Sequence, residues 1–179
     1  MTKYTGILLY PRFSEYELSV LLSVLQQGEK PAIFIGLDHD VVKGEAGLLC
    51  QPEKTIYHID LDEIDSLVLP GVDDFEHLVN HEELSSFLGQ ANDGKRIIGA
   101  ISSAPYLLSM SGVLENKKYT TGLTEEQRSF LGTFTEENYV DSPVVVDDNL
   151  ITAIGSAFID FAFAFGDSLK LNYEKGWYR

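Results

Sequence analysis

The chain has 179 residues, 44% of them hydrophobic, a length and apolar content that suit one domain, residues 1–179, with a substantial core. Lys and Arg number 13 against 28 Asp and Glu, a formal net charge of -15, so the surface field disfavours nucleic acid and anionic membrane as partners. The start, Met1-Thr2-Lys3-Tyr4-Thr5, has no secretory pattern, no stretch is long enough to span a bilayer, and the single cysteine, Cys50, cannot close an internal disulfide, so a cytoplasmic protein is expected.

Gly6-Ile7-Leu8-Leu9-Tyr10 is a short apolar run of the kind found in strands covered on both faces, and Pro11 ends it. Ser14-Glu15-Tyr16-Glu17 then opens an apolar helix that stops at Gly28, and Pro31 to Gly36 reads as the second strand of a βαβ unit. Between Gly44 and Ile59 the glycines and Pro52 break the rhythm, as in a hairpin or small excursion. Ser66 to Leu69 is another buried strand closing in a Pro70-Gly71 turn, and Asp73 to Ala91 is predicted to follow as one acidic helix. Lys95 to Ile101 repeats the strand pattern and Ala104 to Leu114 the helix pattern. Val144-Val145-Val146 and Leu150 to Ala153 flank Asp147-Asp148-Asn149 as a hairpin, and a last helix from about Ala157 to Leu171 carries Phe158, Phe161, Phe163 and Phe165, a stripe suited to core or a subunit seam. The alternation predicts an α/β fold with a doubly wound, mostly parallel sheet, helices on both faces and a small hairpin excursion.

In such sheets the chemistry gathers beyond the carboxyl ends of the strands. Three places qualify: Glu17, the segment Leu69-Pro70-Gly71-Val72, and the segment Ile101-Ser102-Ser103-Ala104-Pro105. Ala100 and Ala104 bracket Ser102 as small residues bracket a nucleophile elbow, although Ser102 or Ser103 would equally serve as a helix cap. Glu17 also has two readings. Ser14-x-x-Glu17 matches a capping box, in which the carboxylate reaches back to the chain; directed into a pocket beside a hydroxyl, it would instead have its pKa raised by burial and favour the protonated form.

Phe13 to Glu17, Leu67 to Gly71, Ile101 to Pro105 and Leu150 to Gly155 stand in the order and approximate spacing of the ThiJ/PfpI superfamily, and nearly the whole chain resembles it, with Gly44 to Leu48 and Pro52-Glu53 similar to its glycine-rich segment. The resemblance implies a flavodoxin-like sheet of the class I glutamine amidotransferase type, usually a homodimer. It puts a cysteine at the place of Ser102 and a glutamate bonded to it at the place of Glu17, with oxyanion-binding N–H groups near Gly71 or Val72 and at Ser103. Family activities include glyoxalases, deglycases, peptidases, hydratases and chaperones.

This chain departs from that pattern in two ways. A serine hydroxyl needs a positioned base that a thiolate does without, and the histidine that follows a Thr-Thr pair in many members is here Gly122, after Thr120-Thr121. All four histidines, His39, His58, His77 and His81, precede Ser102. His77 and His81 lie four apart on the predicted acidic helix, a spacing compatible with a metal but more in keeping with a solvated face, so no metal and no cofactor is expected. Cys50 reads as inert packing, and Tyr106 and Trp177 as pocket, core or interface aromatics. Two functions follow: a small-molecule-binding or stress-related module that has lost cysteine-dependent catalysis, or an active hydrolase or lyase using Ser102 with Glu17.

Overall fold

The computed structural model describes residues 2–179. Strands β1 (Tyr4–Leu9), β2 (Ala32–Gly36), β3 (Val42–Lys43), β4 (Leu49–Cys50), β5 (Lys54–Thr55), β6 (Ile64–Leu69), β7 (Ile97–Ile101), β8 (Val144–Asp147) and β9 (Leu150–Ala153) alternate with helices α1 (Glu15–Gln27), α2 (Glu82–Ala91), α3 (Pro105–Met110), α4 (Glu125–Leu131) and α5 (Phe158–Ser168). Seven strands form one sheet in the order β5-β2-β1-β6-β7-β9-β8. Every neighbouring pair is parallel except β8 with β9. The chain winds outward from β1 in one direction and from β6 in the other, so the topological switch point lies between these two strands. The predicted excursion is the separate β3–β4 hairpin, with Val42 opposite Cys50.

The central strands read as unbroken apolar runs because both faces are covered: Ile7, Leu8, Leu9, Leu67, Val68, Leu69 and Ile98 are all essentially inaccessible. The aromatic stripe of α5 is spent inside the chain. Phe161 and Phe165 are fully buried over β7, where a Cβ on Gly99 would lie 2.8 Å from Phe161 Cζ and 2.9 Å from Phe165 Cδ2. Phe163 is flanked by the rings of Tyr173 and Tyr178, each 5.8 Å away between centroids. The tail also ties α5 to α1: the Tyr178 hydroxyl lies 2.7 Å from Ser23 Oγ and accepts from Gln27 Nε2 at 2.9 Å, and Glu174 N–H donates to Gln27 Oε1 at 2.9 Å.

The single helix predicted over Asp73 to Ala91 is instead a short 3-10 turn at Glu76–Leu78 followed by α2. Asn80 takes φ 59°, a left-handed conformation that a continuous helix cannot contain. His81 therefore caps α2, its Nδ1 accepting the Leu84 N–H at 3.2 Å, while His77 belongs to the preceding turn, so the two rings share no helical face. The helix predicted to reach Leu114 ends at Met110, before Gly112 at φ 77°. Helix α4 was not anticipated, although its signals are local: a capping box joins Thr124 to Gln127 and Gly132 closes the last turn at φ 70°.

Close approach of α5 to β7 depends on the missing side chain at Gly99. Gly99→Ala is expected to destabilise by about 1–3 kcal/mol through overpacking, lowering the melting temperature by roughly 2–12 °C; an unchanged melting curve would show that the two phenylalanines move aside freely.

Candidate active site

The loops after β1 and β6 are zipped together. Phe13 bridges Val72 in antiparallel fashion, Ser14 N–H donates to Gly71 C=O at 2.8 Å, and the Tyr10 hydroxyl, wholly buried, donates to the Pro70 carbonyl. This pairing sets the first turn of α1 against the Pro70-Gly71 turn. Its two glutamates then diverge. Glu15 turns outward, its carboxylate accepting the N–H groups of Ala46 (2.9 Å) and Leu48 (3.1 Å) and so holding the loop before β4. Glu17 turns inward, 2% exposed, with Oε2 accepting the Gly71 N–H at 2.6 Å.

The capping-box reading of Ser14 and Glu17 is thereby excluded: Ser14 makes no side-chain cap to α1 and instead donates to Glu45 Oε1 at 2.8 Å. Burial pushes the Glu17 carboxyl above the ordinary glutamate range, and the negative charge of Glu45 pushes the same way. The Gly71 N–H and the hydroxyls of Ser102 and Tyr16 oppose that shift by hydrogen bonding to the charged form.

Ser102 sits at φ 64°, the left-handed region that a serine adopts only when its surroundings hold it there. Its N–H donates to Ala153 C=O on β9 at 2.8 Å, and its C=O accepts from Gly122 N–H at 2.8 Å and from Thr121 Oγ1 at 2.7 Å. The chain thus turns sharply between β7 and α3 with a backbone unlike an ordinary helix start, in which the capping residue has extended conformation. Three glycines make room around the side chain. A Cβ on Gly71 would lie 2.7 Å from Ser102 Cβ, and one on Gly122 3.3 Å from Ser102 Oγ. A Cβ on Gly155 would lie 3.0 Å from Glu17 Oε1 and 3.1 Å from both Ser102 Oγ and Tyr16 Oη. The three oxygens therefore converge on one spot. The position where the resemblance expects a histidine adjoins Ser102 but carries no side chain.

A cavity of about 230 Å³ opens at this point, bounded by Ser14, Tyr16, Glu17, Glu45, Val72, Asp73, Ser102 and Ser103. Its charged groups are all carboxylates, and Arg12 pairs with Asp73 at 2.5 Å at the rim. Val72 and Ser103 are joined reciprocally: Val72 N–H donates to Ser103 Oγ at 3.0 Å and Ser103 Oγ–H donates to Val72 C=O at 2.9 Å. Both N–H groups of the Gly71-Val72 turn are thus engaged within the protein, one by Glu17 and one by Ser103.

Of the pocket, core and interface places open to Tyr106, the structure gives the core and not the pocket: its ring centroid lies 5.0 Å from that of Phe75, outside the cavity wall, because α3 carries it past position 102. Trp177 is exposed on the tail. His77 and His81 border a separate cleft with Asp38 and Asp40. Cys50 is half-buried in β4, its thiol pKa pushed up by burial and by Glu15. Sequence reasoning missed Tyr16 and Glu45. Tyr16 sits between the two glutamates of α1, next to the singled-out Glu17; Glu45 reaches the cavity from a loop about thirty residues away, and no local pattern marks it.

Among known proteins, the chain is 23% identical over 170 residues to Uncharacterized protease YoaZ of Bacillus subtilis, covering 90% of this chain and 80% of that protein. It is 23% identical over 154 residues to Putative cysteine protease YraA of the same organism, covering 86% and 89%. A solved DJ-1 superfamily protein from Agrobacterium tumefaciens superposes with a TM-score of 0.86 at 25% identity, over 97% of this chain and 93% of that one. Drosophila melanogaster DJ-1beta does so at 0.80 and 26%, over 98% and 94%. The sequence pattern of the DJ-1/PfpI family matches residues 5–167, and with the fold and these relatives it places the chain in the DJ-1/PfpI family.

Proposed function

We propose that the cavity at Ser102 binds a small polar molecule and that the chain has given up the cysteine-dependent chemistry of its relatives. The observation that carries this reading is the composition of the wall around Ser102: a hydroxyl faces a carboxyl and a tyrosine hydroxyl, with glycine at position 122 and, among the described residues, no imidazole or ammonium lining the cavity. Activating a serine takes a base that accepts its proton. Burial biases Glu17 toward holding a proton of its own, which suits a hydrogen-bond donor to a ligand oxygen better than a base. Cytoplasmic location and a homodimer belong to the same proposal, and since the phenylalanines of α5 are occupied internally, exposed residues such as Tyr16, Leu48 and Leu49 around the first turn of α1 offer a second copy apolar surface, as do Phe130 and Trp177 elsewhere.

The left-handed backbone at Ser102 favours a second reading, an active serine-dependent hydrolase or lyase with Glu17 as proton relay, in keeping with the protease names of the two Bacillus subtilis relatives. A panel of fluorophosphonate and β-lactone probes separates the two. The binding reading expects no adduct at Ser102 and no turnover of glyoxal, glycated amines or peptides; turnover abolished by Ser102→Ala would overturn it.

The state of Glu17 has its own test. A carboxyl whose folded pKa is raised contributes stability that is full below its unfolded value and is lost as pH rises through the folded value. Glu17→Gln, which keeps an oxygen for Gly71 N–H, is therefore expected to gain stability relative to the unmodified chain as pH climbs from about 4 to about 8. Thermal melts across that range check it, and a difference that stays constant with pH would show that Glu17 titrates as it does in the unfolded chain. For the homodimer, sedimentation equilibrium is expected to give twice the 20.0 kDa chain mass.

A further inference from the structure

The reciprocal pair between Ser103 and Val72 occupies a place with chemical meaning. In the bridge to Phe13, the neighbouring groups Gly71 C=O and Asp73 N–H point toward the β1 loop, accepting from Ser14 N–H at 2.8 Å and donating to Arg12 C=O at 3.4 Å. Backbone alternation then turns both polar groups of Val72 the opposite way, toward the elbow. There Ser103 Oγ takes both of them, at 3.0 and 2.9 Å, with Val72 and Ser103 each less than a tenth exposed. Ser103 N–H, the donor directly after the elbow residue, donates to no protein acceptor among the described residues. A backbone N–H after an elbow residue together with one from an adjacent loop is the arrangement that stabilises an oxyanion formed on a group attacked at that elbow. Here the second donor is capped by a side chain of the first donor's own residue.

We propose that Ser103 is an intramolecular plug: its hydroxyl holds the Val72 N–H away from the cavity, and removing that hydroxyl opens a two-donor site for a negatively charged oxygen beside position 102. Ser103 is a positioning residue in this role, acting through Val72 rather than on a ligand. The proposal deepens the binding reading above by giving the absence of acyl transfer a cause separate from the exchange of sulfur for oxygen.

The test supplies a nucleophile that needs no base. In a Cys50→Ser background, Ser102→Cys is compared with Ser102→Cys combined with Ser103→Ala, Ser103→Gly or Ser103→Thr, the first two lacking the hydroxyl and the third keeping it. With p-nitrophenyl acetate the introduced thiolate attacks the ester carbonyl, whose oxygen takes the negative charge; collapse expels p-nitrophenolate and leaves a thioester, which water cleaves to acetate and the free thiol. With iodoacetamide the same thiolate displaces iodide from carbon and no oxyanion forms, so this rate reports thiolate supply and access alone. The expected result is acylation at least about tenfold faster with Ser103→Ala or Ser103→Gly, alkylation unchanged within about twofold, and Ser103→Thr behaving like Ser102→Cys alone. Circular dichroism and melting verify folding, and Ser103→Gly stands in if the alanine variant does not fold. Acylation that does not rise, rises together with alkylation, or rises equally with Ser103→Thr overturns the plug. Turnover by the unmodified chain would sink the binding reading and leave this comparison intact.

Discussion

A buried carboxyl bonded to a backbone N–H at 2.6 Å joins three parts of this protein that are distant in sequence. Glu17 belongs to the first turn of α1, Gly71 to the turn after β6, and the Ser102 side chain packs on the same glycine. Burying a carboxyl without such a partner is costly, and leaving the Gly71 N–H unpaired in the same enclosure would be costly as well. The contact answers both demands at once. It also explains why position 71 admits no side chain: a Cβ there would stand 2.6 Å from Glu17 Oε2. The arrangement at the mouth of the sheet is thus a consequence of strand order, since β1 and β6 are neighbours across the switch point and their following loops must meet.

Position 102 adds a strained backbone to this frame. A non-glycine residue in the left-handed region costs on the order of 1–2 kcal/mol, which three hydrogen bonds to the Ser102 main chain offset. The surrounding glycines let the neighbouring backbone close in on the Ser102 side chain, since a Cβ at Gly71 would stand 2.7 Å from Ser102 Cβ. The electrostatics are equally one-sided. Glu17, Glu45 and Asp73 border the cavity, and the nearby Arg12 is engaged by Asp73 and Asp74, so the field inside favours neutral or cationic groups over free carboxylates.

The layout of the sheet was legible because parallel strands covered on both faces leave continuous apolar runs, and β1, β6 and β7 carry them over residues 6–9, 67–69 and 97–101. The tight corner at Ser102 was legible too, from the small residues Ala100 and Ala104 around it. Contacts made by loops were not. Glu17 was singled out as a site candidate, but nothing local announced that Glu15 would clasp the hairpin loop or that Ser14 would bind Glu45. The acidic stretch after Asp73 looked like one helix because its charges and apolar residues keep helical spacing, while the left-handed Asn80 that divides it answers to how the segment packs. Tyr106 stayed open between pocket and core for a related reason: its distance from Ser102 in sequence was clear, but the direction of its ring depends on Phe75 from another loop.

The tail that clasps α1 to α5 gives the far end of the molecule a say in the shape of the cavity. Helix α1 is a rigid rod with Glu17 at one end and Ser23 and Gln27 toward the other, where Tyr178 and Glu174 grip it. A lever fixed at its heel cannot slide or roll at its toe. The final turn of chain around Tyr173 and Tyr178 thus anchors the helix some fifteen ångströms from the carboxyl, about ten residues at the usual rise, without touching any residue that borders the binding space.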